Sequence, residues 1–200
     1  MKRTSTEKSM KGIFIAVLLK ILRSILSRNR SRRTVEFEKL RDAMDPDTRK
    51  ICTALLLTGM RYAELCRFRE NPDWLDGKFV HLPRGSMLKA KQRERAIRLS
   101  DMGKTLVPDL FQAHHPLPEL PAFDMKLRRL SKRILEGSPV NNKTFRKTWE
   151  SRLVFYYPDK SLQIALSQGH TTTTQYEHYL NIQFDDEDRR EMRKWVEGWV

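Results

Sequence analysis

Glycine and proline are sparse in this chain, 8 and 9 of 200 residues, which excludes collagen-like and low-complexity architectures. Cysteine is rarer still. Cys52 and Cys66 both lie in apolar helical patterns without a second thiol at metal-ligand spacing, so no disulfide framework or zinc–cysteine site is expected. They read as reduced core residues of an intracellular protein, since a disulfide between them would require an oxidising compartment. A membrane-spanning run is missing as well. The apolar stretch Gly12–Leu19 is cut off by Lys20 and Arg23, is too short to cross a bilayer and precedes no small-residue cleavage site. The sequence also lacks a phosphate-cradling glycine loop and a compact carboxylate set. His81, His114 and His115 have no partners at metal spacing, so no metal site is expected.

Acid is in short supply too: 25 Asp and Glu face 39 Lys and Arg, giving a formal charge of +14 and a pI near 10.0. That balance favours a polyanionic partner such as nucleic acid or an anionic membrane surface. Against the charge stands a hydrophobic fraction of 39%, enough to build a core, and the length suits one ordinary domain plus an appendage. Residues 1–33 hold ten Lys or Arg and one Glu, whereas the other 167 carry 29 basic and 24 acidic side chains, net +5. The body is therefore only mildly basic, and a binding face must be local. Arg84, Lys89, Lys91, Arg93, Arg95 and Arg98 crowd one stretch; Lys126, Arg128, Arg129, Lys132 and Arg133 crowd another. Taken singly, each run also fits a solvated face.

Hydrophobic periodicity divides the chain. Lys11–Leu26 reads as a basic amphipathic helix that docks or packs, and Ser27–Arg33 as a linker. Thr34 is a candidate N-cap, a second helix follows the Asp45-Pro46-Asp47 break and stops at Thr58-Gly59, and Arg61–Arg69 resumes the pattern. Turn signals at Asn71–Asp73 and Asp76-Gly77 precede a hairpin over Lys78–Leu99 with its tip near Gly85–Gln92. Helical spacing returns at Asp101, breaks at Pro108–Pro121 and Gly137–Pro139, and then covers Asn141–Tyr156, Ser161–Ser167, Thr173–Asn181 and Asp185–Trp199. The expected fold class is mainly α with a small β-hairpin or sheet.

Without a glycine loop or carboxylate cage, fixed guanidinium groups are the simplest device for acting on a phosphodiester. They stabilise charge developing on its non-bridging oxygens through bidentate hydrogen bonds. A tyrosine can attack if a neighbour eases loss of its proton, and a lysine can protonate the leaving oxygen. Four blocks carry such residues: TGMRYAEL at Thr58–Leu65, the lysine-rich hairpin, KTFR at Lys143–Arg146 and QGHTTTTQYEHYLN at Gln168–Asn181. In this order, over roughly Thr34–Asn181, the chain resembles the tyrosine recombinases or phage-type integrases, nearest to those of archaeal viruses and plasmids.

The resemblance implies a catalytic domain over residues 34–184 in which Arg61 and Arg146 clamp the scissile phosphate, Glu64 supports Arg61, and Lys143 and His170 donate to its oxygens or help deprotonate the tyrosine. It implies Tyr179, nine residues after His170, as nucleophile; Tyr176 is the rival, and His178 reads as structural. Lys89 is the choice for the hairpin's catalytic lysine, with Lys91 the alternative, while Arg84, Lys91, Arg93 and Arg95 are expected to contact DNA backbone. Lys143 stands where histidine is commoner, and Gln168 where leucine is usual. By the same resemblance the activity is site-specific recombination through a 3′-phosphotyrosyl intermediate, without metal or cofactor. The implied partners are double-stranded attachment-site DNA and further copies in a tetramer, and no membrane. The setting would be the cytoplasm or nucleoid of a prokaryotic host. Because only residues 1–33 precede the body, either the basic arm or an accessory core-binding protein supplies the usual N-terminal clamp. Residues 185–200 would form the segment exchanged between protomers, packing in cis being the alternative. Competing readings are a type IB topoisomerase-like enzyme, a non-catalytic or partner-dependent DNA-binding remnant, and a metal nuclease built on Asp185, Asp186, Glu187 and Asp188.

Overall fold

Phe37 and Leu40, three residues apart on a short amphipathic helix α1 (Thr34–Asp42), bury one stripe beneath the C-terminal part of the chain. The computed structural model describes residues 34–84, 94–135, 139–169, 184 and 186–200. Asp45 then caps helix α2 (Pro46–Thr58): its carboxylate accepts the Thr48 N–H at 3.0 Å, and Pro46 occupies the first turn, where no amide donor is needed. From Ile51 to Leu57 nearly every side chain is buried, so α2 is wrapped on all sides. Gly59 ends it at φ +63°.

Helix α3 (Tyr62–Glu70) follows at once, then a single 3₁₀ turn (Pro72–Trp74) and a three-stranded antiparallel sheet of β1 (Leu75–Asp76), β2 (Phe79–Leu82) and β3 (Arg95–Arg98) in the order β1-β2-β3. The hairpin expected over Lys78–Leu99 is present, with Val80 opposite Ile97 and Leu82 opposite Arg95. Its tip at residues 85–93 lies outside the described residues, and β1, two residues long, left no periodic signal. Helices α4 (Asp101–Leu106) and α5 (Leu120–Ile134) flank the proline-rich stretch, which itself holds a 3₁₀ turn at Pro108–Gln112. Helix α6 (Asn142–Tyr156) packs Phe145, Trp149 and Leu153 on α2, and α7 (Ser161–Gln168) lies against β3. The final helix α8 (Asp186–Val196) rests on α6, α4 and α1.

Met192, Trp195, Val196 and Trp199 are all at most 2% exposed on their own chain. Phe37 meets the Trp195 ring edge-on at 5.3 Å, Tyr157 stacks on Trp199 at 6.0 Å, and the Tyr157 hydroxyl donates to the Val196 carbonyl at 3.0 Å. In this structure the apolar stripe of α8 is covered by its own chain. Cys52 and Cys66 are both free thiols. Among the described residues no helix is long and apolar enough to cross a membrane, and no cluster of His, Cys, Asp and Glu has the makings of a metal site. The acidic residues Asp186, Glu187 and Asp188 form the first turn of α8, where carboxylates complement the helix N-terminus.

Candidate active site

The turn between α2 and α3 sets the first functional side chain. Arg61 is not inside a helix but at the N-cap of α3, with an extended backbone, and Glu64 reaches back to it from the third helical position. Glu64 Oε2 accepts the Arg61 N–H at 2.8 Å, and Oε1 accepts Arg61 Nη1, also at 2.8 Å. An Arg-x-x-Glu pair is ordinarily a solvated surface bridge. Here the Glu64 side chain is 4% exposed while that of Arg61 is 40% exposed, so the carboxylate is buried beneath a guanidinium that still faces outward.

A second arginine shares the same carboxylate. Arg95 Nη2 donates to Glu64 Oε2 at 2.7 Å and its Nε donates to the Ser167 carbonyl at 3.1 Å, with only 6% of the Arg95 side chain exposed. Arg95, expected to contact DNA backbone, is turned inward in this structure. Strand alternation places Arg95 on the inward face with the buried Ile97 and Leu99, and a buried carboxylate takes up its charge. Burial pushes the Glu64 carboxyl upward, but the hydrogen bond and charge of Arg95, then those of Arg61, outweigh it and hold Glu64 below the usual carboxylate range.

The third arginine comes from α6. Asn141 caps that helix, accepting the Lys143 and Thr144 N–H groups, and this brings Arg146 to the joint between α2 and α7. Arg146 Nη1 donates to the Gly59 carbonyl at 2.8 Å and Nη2 to the Gln168 carbonyl. Burial, together with repulsion from Arg61 and Arg95, lowers its guanidinium to about 10. Arg61 and Arg95 thus share the Glu64 carboxylate, and Arg146 lies close enough to feel both guanidiniums as well as Glu150 and Glu64. Lys143, one turn before Arg146, is exposed at the start of α6, and Arg84 is exposed at the end of β2. Lys89, Lys91, Arg93, His170, Tyr176, His178, Tyr179 and the helix expected over Thr173–Asn181 lie outside the described residues, as do Lys11–Leu26 and Ser27–Arg33.

Sequence reasoning missed the supporting roles of Arg95 and Gln168. Gln168 is completely buried, and its side-chain amide points at the Thr58 carbonyl across 3.4 Å. A Cβ on Gly59 would collide with the Gln168 Oε1, so Gly59 serves both a left-handed turn and a close approach. Gly169 ends α7 at φ +70°, and a Cβ there would press on the Arg95 guanidinium at 3.1 Å. The Arg95 role was readable from strand parity, whereas that of Gln168 had no local signal.

No protein-family model matches the sequence, and neither does any curated protein. Solved structures do match. The XerA recombinase aligns with a TM-score of 0.60 at 17% identity over 82% of this chain. Two structures of the Tn1549 transposon integrase, in complex with transposon right-end DNA and with circular-intermediate DNA, align with a TM-score of 0.61 at 15% identity over 84% of this chain. This chain spans 64% of the length of the XerA chain and 66% and 68% of the two integrase chains. From the helical body, the small antiparallel sheet and these neighbours, the fold of this chain is that of a tyrosine recombinase catalytic domain.

Proposed function

We propose that the chain is a site-specific DNA recombinase or integrase that cuts and rejoins DNA through a 3′-phosphotyrosyl intermediate. The observation that carries this reading is the grouping of Arg61, Arg95 and Arg146 at one place in the fold, the first two sharing the buried Glu64 carboxylate. In the proposed reaction the Tyr179 hydroxyl gives up its proton to His170 and attacks the scissile phosphorus, the bond to the 5′-oxygen breaks, and Lys89 passes a proton to that oxygen. Arg61 and Arg146 carry the charge that grows on the non-bridging oxygens, with Lys143 and His170 donating beside them. Religation reverses these steps with the 5′-hydroxyl of a second strand, so the bond energy stays in the phosphotyrosyl linkage and the scheme calls for no cofactor.

The proposed partner is double-stranded attachment-site DNA, gripped by a tetramer of this chain in a prokaryotic cytoplasm or nucleoid. The outer face of α5 supports a long electrostatic grip, because Arg128, Arg129, Lys132 and Arg133 are exposed there, while Lys126 is drawn to Asp45 at 2.7 Å. The basic arm over residues 1–33, or an accessory core-binding protein, completes it. A nicked suicide duplex tests the chemistry in EDTA. Wild type and Tyr176→Phe are expected to leave a covalent protein–DNA band on a denaturing gel, and Tyr179→Phe none. DNA binding with no band from wild type would instead make the chain a non-catalytic or partner-dependent binding protein.

A further inference from the structure

We infer that Arg95 is a positioning residue, which clamps Glu64 and the end of α7 so that Arg61 is held in place for a phosphate, and which does not itself touch DNA. The inference rests on the recombinase reading and deepens it. The Arg95 side chain is 6% exposed against 40% for Arg61, so of these two only Arg61 offers its guanidinium to an incoming strand. Both compete for one carboxylate. Glu64 Oε2 accepts from Arg95 Nη2 at 2.7 Å and from the Arg61 backbone at 2.8 Å, which leaves Oε1 to orient the Arg61 side chain.

The same guanidinium also reaches α7. Nε donates to the Ser167 carbonyl at 3.1 Å, and Gly169, lacking a side chain, lets the guanidinium lie close against the backbone that leads to His170. One side chain on β3 therefore ties the hairpin that bears Lys89 to the α3 start and the α7 end. A lysine lacks the planar fork that here spans both acceptors, since its ammonium is a compact point charge on a flexible stem. The register that sets Arg95 opposite the buried Leu82 fixes the direction of the fork.

The full-length chain is compared with Arg95→Lys and Arg95→Met, each checked for folding by thermal melting. Single-turnover cleavage of saturated suicide duplex is measured beside DNA affinity. Arg95→Met is expected to slow cleavage roughly tenfold to a hundredfold with DNA affinity nearly unchanged, because misplacement of a catalytic group acts on the rate of the bound complex. Arg95→Lys recovers part of the rate, and it carries the comparison alone if Arg95→Met does not fold. A loss confined to DNA affinity, or wild-type values for both quantities, overturns the inference. Absence of a covalent band from wild type sinks the recombinase reading separately. In that event [15N]arginine side-chain NMR decides the inference: the Arg61 guanidinium signal shifts in Arg95→Met if Arg95 holds it through Glu64, and an unchanged signal overturns that role.

Discussion

At the residue scale, one glycine and one glutamine show how tightly the cationic cluster is framed. Gly59 holds φ +63° and faces Gln168, whose side chain is fully buried. Gly59→Ala is expected to cost about 1–2 kcal/mol for the left-handed backbone alone, and more from the collision. Gly59→Ala combined with Gln168→Ala relieves the collision but not the backbone strain, so a double-mutant cycle by urea denaturation should read a coupling of about 1 kcal/mol. Glu64→Gln removes the charge that two guanidiniums share and leaves Arg95 buried without a counterion. It should destabilise the fold and abolish DNA cleavage while leaving non-specific DNA binding intact. Gel-shift and cleavage assays on one preparation check this.

Helix ends and helix faces carry the next set of expectations. Partial burial raises the Asp45 carboxyl, but hydrogen bonds from Lys126 and Thr48 and the Lys126 charge bring it down to about 2 from an ordinary 3.8. Because the folded value is the lower one, the contribution of Asp45 is fully present above its ordinary value and is lost as pH falls from about 4 toward 2. Asp45→Asn keeps the cap but not the charge, so its denaturation midpoint should approach that of wild type as pH drops through this window. Asp45→Ala loses the cap and should cost about 1 kcal/mol even at neutral pH. On α8, Trp195→Ala removes the ring that Phe37 meets edge-on and is expected to cost about 3–5 kcal/mol in chemical denaturation.

Over the whole molecule, the charge of +14 favours a polyanionic partner. DNA affinity should fall steeply as salt rises, and Arg129→Gln with Arg133→Gln on α5 should flatten the log–log slope by roughly 0.9 for each phosphate that is no longer neutralised. Fluorescence anisotropy across a salt series measures it. Wild-type slope in that variant would remove α5 from the DNA interface without touching the chemistry proposed at Arg61 and Arg146.

The helices, the hairpin and their order follow from the sequence itself, because apolar period, Asp and Asn caps, and glycine stops act within a few residues of one another. The arginine boxes at Arg61 and Arg146 were legible for the same reason, each being a short motif beside a helix end. What only the tertiary structure decided is the direction of the charged and polar side chains. Arg95 turned inward because Glu64, 31 residues earlier, is buried beside it, and Gln168 lies under Gly59 although they are 109 positions apart. Likewise α8 found its aromatic seat on α1 and α6 of the same chain. A local pattern states that a side chain is charged or apolar; which distant carboxylate, carbonyl or ring it meets is set by packing, and packing joins residues that share no window of sequence.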